Sequence, residues 1–204
     1  MAFEYEKHLM TTAQVAERRA EALEKKEKLS IVRIGDGEAL ALCHDVLIPT
    51  SKIEANLDYS GVQLPDPNTR EILRQSIMAA EIVGLLPEER RVDIPKIFAH
   101  FKITTKAICS AYINWDLHGN GKGLLYPLLR DRRVYLVGRR AHEAVYHARQ
   151  LDMNVVGFTG CEGIYDVEEA YAAIRRGRTS ISPSSRRASR RWCSARCWPN
   201  GWGR

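Results

Sequence analysis

No stretch of the 204-residue chain approaches the roughly 18 consecutive apolar residues that a membrane-spanning helix needs. The opening residues Met1-Ala2-Phe3-Glu4-Tyr5-Glu6-Lys7 lack the apolar core of a secretory signal. Five cysteines at irregular spacing do not make a disulfide framework. These absences lead one to expect a soluble, cytoplasmic protein. What is present suits a folded domain. Hydrophobic residues make up 45% of the chain and charged residues 27%, which excludes wholesale disorder. The length fits one α/β domain, or at most two small ones.

A second set of absences is local. Residues 175–204 contain no Asp, Glu or Lys, and no Leu or Val, but hold nine arginines, six serines and three of the four tryptophans. Of the 31 Lys and Arg, 22 therefore remain for positions 1–174 against all 25 acidic residues, a net charge of −3. The chain's overall charge of +6 comes from its last thirty residues. The expected organisation is one domain over 1–177 and an Arg/Ser/Trp-rich tail over 178–204, disordered or non-native.

Upstream of that boundary, residues 12–28 read as a helix capped by Thr12, rich in Ala, Glu, Lys and Arg. The β-branched run around Ile31-Val32-Arg33-Ile34 is a strand candidate that ends at Asp36-Gly37-Glu38, with a helix after it. Asp66-Pro67 opens a helix with Ile72, Leu73 and Ile77 inward. Further strands are expected at 81–85, 107–113, 134–137 and 154–158. Helices are expected at 94–101, 140–151 and 166–177. Strands alternating with helices at this spacing predict an α/β, Rossmann-like fold with a mainly parallel, doubly wound sheet.

Asp36-Gly37-Glu38 is the most informative tripeptide, because ligands of open α/β sheets sit outside the carboxyl ends of the strands. Two carboxylates flanking a glycine can meet at one hard cation while the backbone stays close to a phosphate. Magnesium or manganese held there would neutralise a diphosphate leaving group. Arg33 could contact the same phosphates. The plainer alternative is that Asp36 caps the following helix and Glu38 is solvated.

Other motifs carry less. Gly138-Arg139-Arg140 could bind an anion at a helix start, or be a plain turn, and lacks the further glycines of a dinucleotide fingerprint. His142 and His147 stand about 140° apart around a helix, so they cannot share a zinc ion from one face. Cys43, Cys109 and Cys161 read as small core residues rather than nucleophiles. Asn114-Trp115 is either an acceptor or base contact or a packed aromatic.

The stretch Leu29-Ser30-Ile31-Val32-Arg33-Ile34-Gly35-Asp36-Gly37-Glu38-Ala39-Leu40 resembles the GT-D-fold bacterial glycosyltransferases. Tyr59-Ser60-Gly61-Val62, Ala80-Glu81-Ile82-Val83-Gly84, Asn114-Trp115 and the Val134-to-Gly138 strand add to the resemblance, which covers about residues 10–177. It implies a Rossmann-like fold, a nucleotide diphosphate sugar donor such as a UDP-sugar, and a Mn2+ or Mg2+ ion held by an Asp-x-Glu motif. Here that motif falls on Asp36 and Glu38, the residues expected to carry both metal binding and catalysis. Arg33 would contact the diphosphate, Gly35 and Gly37 would let the backbone approach, and Asn114 would contact substrate. The acceptor would be a glycan or glycoprotein, and no catalytic base is identified.

The family pattern continues with a buried strand ending in Ala-Gly-Ile-Pro and a helix, which this chain lacks. Reading the tail from Arg178 one base-frame over, with suitable wobble bases, restores such a strand, turn and apolar helix. Tryptophan has one codon, so Trp192-Cys193, Trp198-Pro199 and Trp202-Gly203 force Val, Ala and Gly in that frame, and all three suit the segment. Such a loss would truncate the transferase and remove part of the expected active-site rim, which can cost this chain its activity. The alternative is a genuine basic tail binding nucleic acid without enzymatic activity, its tryptophans stacking on bases. Nucleic acid is not the expected partner.

Overall fold

The computed structural model describes residues 8–49, 64, 66–86, 93–119 and 123–176. The readings of Tyr59-Ser60-Gly61-Val62 and of the tail 178–204 lie outside the described residues. In chain order the elements are β1 (Leu9–Met10), α1 (Thr12–Lys25), β2 (Ile31–Arg33), α2 (Asp36–Cys43), α3 (Pro67–Ala79), β3 (Ile82–Leu85), α4 (Ile94–Phe101) and β4 (Ile108–Ser110). There follow α5 (Ile113–His118), α6 (Leu125–Leu129), β5 (Val134–Val137), α7 (Ala141–Gln150), β6 (Val155–Thr159) and α8 (Val167–Arg176).

Local signals account for most boundaries. Thr11 caps α1 by accepting from Gln14 N while Gln14 Oε1 accepts from Thr11 N, so the cap falls one residue before the expected Thr12. Asp66 caps α3 by accepting from Thr69 N at 3.0 Å, with Pro67 in the first turn as expected. On α3, Ile77 is buried and Leu73 packs against the core, but Ile72 is exposed. One residue before Leu73, Ile72 is turned about 100° away from it, beyond the stripe that faces the sheet.

All registered strand pairs are parallel, and the strands divide between two sheets. The first has the order β1-β4-β3-β2. Its side chains alternate faces with the pleat. Ile82 and Cys109 meet Val15 and Ala16 of α1 and Ile113 and Leu117 of α5. Val83, Leu85 and Ile108 meet Ala39 and Leu42 of α2, Ile77 of α3 and Ile94 and Ile97 of α4. Helices therefore cover both faces, the doubly wound arrangement that buries a parallel sheet. At the other end of these strands, Glu81 accepts from Ser30 N at 2.8 Å and from the Ser30 hydroxyl. Those two bonds, with Lys106 nearby, hold the Glu81 carboxyl down to about 2.

The second sheet is the pair β5-β6. Helix α7 buries Ala141, Val145 and Ala148, and α8 buries Ala170 and Ala173. The stripe of α8 formed by Val167, Tyr171 and Ile174, about a quarter-turn from these alanines, is exposed, as is Val137 of β5.

Candidate active site at the carboxyl edge of the first sheet

Because the four strands of the first sheet are parallel, their carboxyl ends share one edge, where such sheets bind ligands. There the chain leaves β2 through Ile34 and Gly35 and turns directly into α2. Asp36-Gly37-Glu38 is the first turn of that helix rather than a loop before it. Glycine at the second helical position hid this in the sequence, since it is a poor helix former.

Gly35 occupies the cap position without a side chain to do the capping. Glu38 Oε2 supplies it instead, accepting from Gly35 N at 2.9 Å. The approach is close: a Cβ on Gly35 would lie 3.0 Å from that oxygen. Asp36 stands exposed in the first helical position, Gly37 is buried, and both carboxylates lie at the positive end of the helix dipole.

Arg33 ends β2 in register with Gly84 of β3. Gly84 has no side chain, so the Arg33 stem crosses β3 and its Nε donates to the carbonyl oxygen of Ala111, just past β4. A Cβ at Gly84 would lie 3.1 Å from Ser110 O, 3.2 Å from Ala111 Cα and 3.3 Å from Arg33 Cγ. Gly84 is thus a positioning residue that sequence reasoning missed as such, because only the strand register reveals what it makes room for. The tether leaves the terminal guanidinium nitrogens of Arg33 without a hydrogen-bond partner among the described residues.

The chain leaving β4 turns at Ser110, whose Oγ accepts from Tyr112 N at 3.1 Å, and enters α5. Ile113 and Leu117 fix the buried side of that short helix, which leaves Asn114 and Trp115 exposed. Trp115 is therefore no core aromatic; it stacks on Tyr112 with ring centroids 5.3 Å apart and planes 20° from parallel. Thr12 Oγ1 donates to Asp116 Oδ2 at 3.4 Å, tying α5 to the start of α1. The sequence-predicted residues Arg33, Gly35, Asp36, Gly37, Glu38 and Asn114 thus all fall on one edge, two of them linked through Gly35 N and Glu38, and Arg33 anchored beside the α5 turn.

With this edge assembled, comparison with known families is decisive. Residues 10–181 match the model of the GT-D fold-like domain. The chain belongs to that family. A GT-D-like fold suggests a glycosyltransferase-like function, with a sugar donor and an acceptor as partners. No curated protein and no solved structure matches the chain.

Whether a divalent ion suits this GT-D-like site can be tested on the donor set. Side chains two positions apart on a helix leave it about 200° apart. Glu38, however, folds back to Gly35, which returns its carboxylate to the end of α2 where Asp36 stands. Both carboxylates, hard oxygen donors of the kind magnesium takes, therefore belong to the first turn of α2. They are too few to enclose an ion: among the described residues, no group of three or more His, Cys, Asp or Glu could hold a metal. A magnesium-type ion is ordinarily held by one or two carboxylates together with substrate phosphates and water.

The remaining candidates stay outside the site. Arg140 pairs with Glu143 of its own first helical turn, and His142 and His147 are both exposed on α7. Burial pushes the Cys43 and Cys109 thiols up, Cys109 to about 11, so they remain protonated packing groups. Partly buried Cys161 is shifted the same way by desolvation.

A second missed residue holds α2 from behind. His44 is fully buried, with Nδ1 2.7 Å from Ala41 O and Nε2 accepting from Asp66 N at 3.1 Å. Asp66 N can only donate, so Nε2 is the accepting nitrogen and Nδ1 faces the Ala41 carbonyl as donor. It joins the end of α2 to the cap of α3, whose Asp66 also accepts from Tyr165 Oη at 3.2 Å. The signal in the sequence was a polar ring closing an apolar run.

Proposed function

We propose that this protein transfers a glycosyl group from a nucleotide diphosphate sugar, a UDP-sugar, to a glycan or glycoprotein acceptor, with Mn2+ or Mg2+ bound at Asp36 and Glu38. The observation that carries this reading is the convergence of Arg33, Gly35 and the Asp36–Glu38 turn on one carboxyl edge within a GT-D-like domain. In the reaction the bond between the sugar's anomeric carbon and the diphosphate oxygen breaks, the nucleoside diphosphate leaves, and an acceptor hydroxyl oxygen takes its place, its proton passing to solvent. Arg33, held at Nε by Ala111 O, keeps its terminal nitrogens for the diphosphate, a bidentate anion recognition that a lysine would not reproduce. Asp36 and Glu38 would hold the divalent ion, which would supply Lewis-acid neutralisation of the departing diphosphate. The amide end of α2 adds a fixed positive partial charge at the same edge.

The test separates capping from ligation. Glu38→Gln keeps an acceptor for Gly35 N, so the fold should persist while the anionic ligand is lost. Calorimetry should show that Asp36→Asn and Glu38→Gln each abolish Mn2+-dependent UDP binding. Unchanged, metal-dependent affinity in both variants would overturn the assignment.

We also infer that 178–204 is an out-of-frame translation of a further strand and helix. What supports this is the uncovered apolar stripe Val167-Tyr171-Ile174 on α8 and the exposed Val137 of the two-stranded sheet. A pair of strands alone is marginal, and an added element would cover these residues. The nucleotide sequence of codons 174–204 decides the matter. A reading frame that encodes no strand-and-helix segment contradicts it.

A further inference from the structure

We propose that Trp115 is the platform on which the base of a nucleoside diphosphate stacks, an assignment that rests on the transferase reading above. At 67% exposure, Trp115 is the most open of the large hydrophobic side chains that stand exposed among the described residues. A lone exposed aromatic needs no explanation, but this one is oriented. Tyr112 lies against it at 5.3 Å and 20°, which supports the indole on one face, while the residue as a whole stays largely open to solvent. The helix that carries it is anchored on the far side by Ile113 and Leu117 in the core and by Thr12 on Asp116. The ring is therefore presented by a rigid mount, at no cost in ordering a loop.

Its location names the ligand. Tyr112 directly follows Ala111, whose carbonyl holds the Arg33 guanidinium, so the phosphate-seeking fork sits at the root of the aromatic stack. Three residues beyond Arg33 begin the two carboxylates of α2. Trp115 stands four residues along the chain from the carbonyl that holds Arg33, so a ligand whose anionic part meets Arg33 has that ring as its neighbour along α5. A nucleoside diphosphate has that layout: a planar, weakly polar base at one end and the diphosphate at the other. Stacking of a base on an aromatic face tolerates any base, so Trp115 contributes affinity, and the neighbouring Asn114 amide, with both donor and acceptor atoms, is placed to read the base edge.

The test compares UDP with inorganic pyrophosphate, which has the anion and no base, by calorimetry in the presence of Mn2+. Trp115→Ala should weaken UDP binding about five- to hundred-fold and leave pyrophosphate binding unchanged. Trp115→Phe, which keeps an aromatic face, should recover most of the loss. Unchanged UDP affinity in Trp115→Ala overturns the proposal; if acceptor KM rises instead, the ring serves the acceptor. A parallel loss of UDP and pyrophosphate also overturns it, since the substitution would then have disturbed Arg33. Wild-type protein that binds pyrophosphate as tightly as UDP removes the base platform and leaves the diphosphate site standing. Wild-type protein that binds neither overturns the transferase reading itself.

Discussion

The first sheet with its helices and the β5-β6 unit are built from the same parts, yet they bury them differently. In residues 8–129 the strands β2, β3 and β4 lie between α1 and α5 on one side and α2, α3 and α4 on the other, and both hydrophobic clusters draw only on this region. In residues 134–176 the buried side chains are mostly alanines of α7 and α8, while Tyr146, Tyr165, Val167, Tyr171 and Ile174 face solvent. Helix content and strand parallelism are alike in the two regions, so neither measures how well a region is cored. What differs is the number of covered faces. The candidate site stands on the better-cored region, where a carboxyl edge is held rigid from both sides, as a preorganised anion site requires.

The largest expected contrast is in stability. Leu42 is fully buried, and Leu42→Ala should lower the unfolding free energy by about 2–5 kcal/mol. Ile174 is exposed on α8, and Ile174→Ala should change it by no more than about 0.5 kcal/mol. Urea unfolding of both variants checks the pair. A loss at Ile174 as large as that at Leu42 would show that something covers α8 and would erase the contrast.

A smaller effect is expected at Gly84, where stability and function should move together. Gly84→Ala forces a methyl group against Ser110 O and Ala111 Cα, which are backbone atoms and cannot step aside as a side chain can. Overpacking of this kind costs about 1–3 kcal/mol. The same methyl presses on Arg33 Cγ, so UDP affinity should fall along with the melting temperature. Retained affinity in a destabilised Gly84→Ala protein would separate Arg33 from its tether and leave the site to the α2 turn alone.

Much of this architecture is legible in the sequence because local chemistry decides it. Asp66 supplies the cap and Pro67 the preset first-turn φ of a helix, and the β-branched run Ile82-Val83 suits a strand. The alternation that sends Ile82 and Val83 to opposite clusters follows from the pleat. The division into two sheets is not legible, because Val134-Tyr135-Leu136-Val137 reads as a buried strand whether or not a third strand joins it. Ile72 reads as inward since residue type alone does not locate the edge of a helix stripe. At the site, Asp36 and Glu38 stand out as carboxylates, but the cap that Glu38 forms on Gly35 requires the helix to start at Asp36, ahead of Gly37, where the sequence places it only after Glu38. Arg33 lies 51 residues from Gly84 and 78 from Ala111, and His44 lies 22 from Asp66, so only strand register and helix packing reveal these contacts.

The central claim is that chemistry belongs to the first sheet's carboxyl edge, not to the similar strand-to-helix turn after β5. Amide resonances of isotope-labelled protein, recorded as paramagnetic Mn2+ and UDP are added, test it directly. The account predicts that line broadening centres on Gly35, Asp36, Gly37 and Glu38 and extends to Ala111 and Tyr112. Broadening centred on Gly138, Arg139 and Arg140 would contradict it.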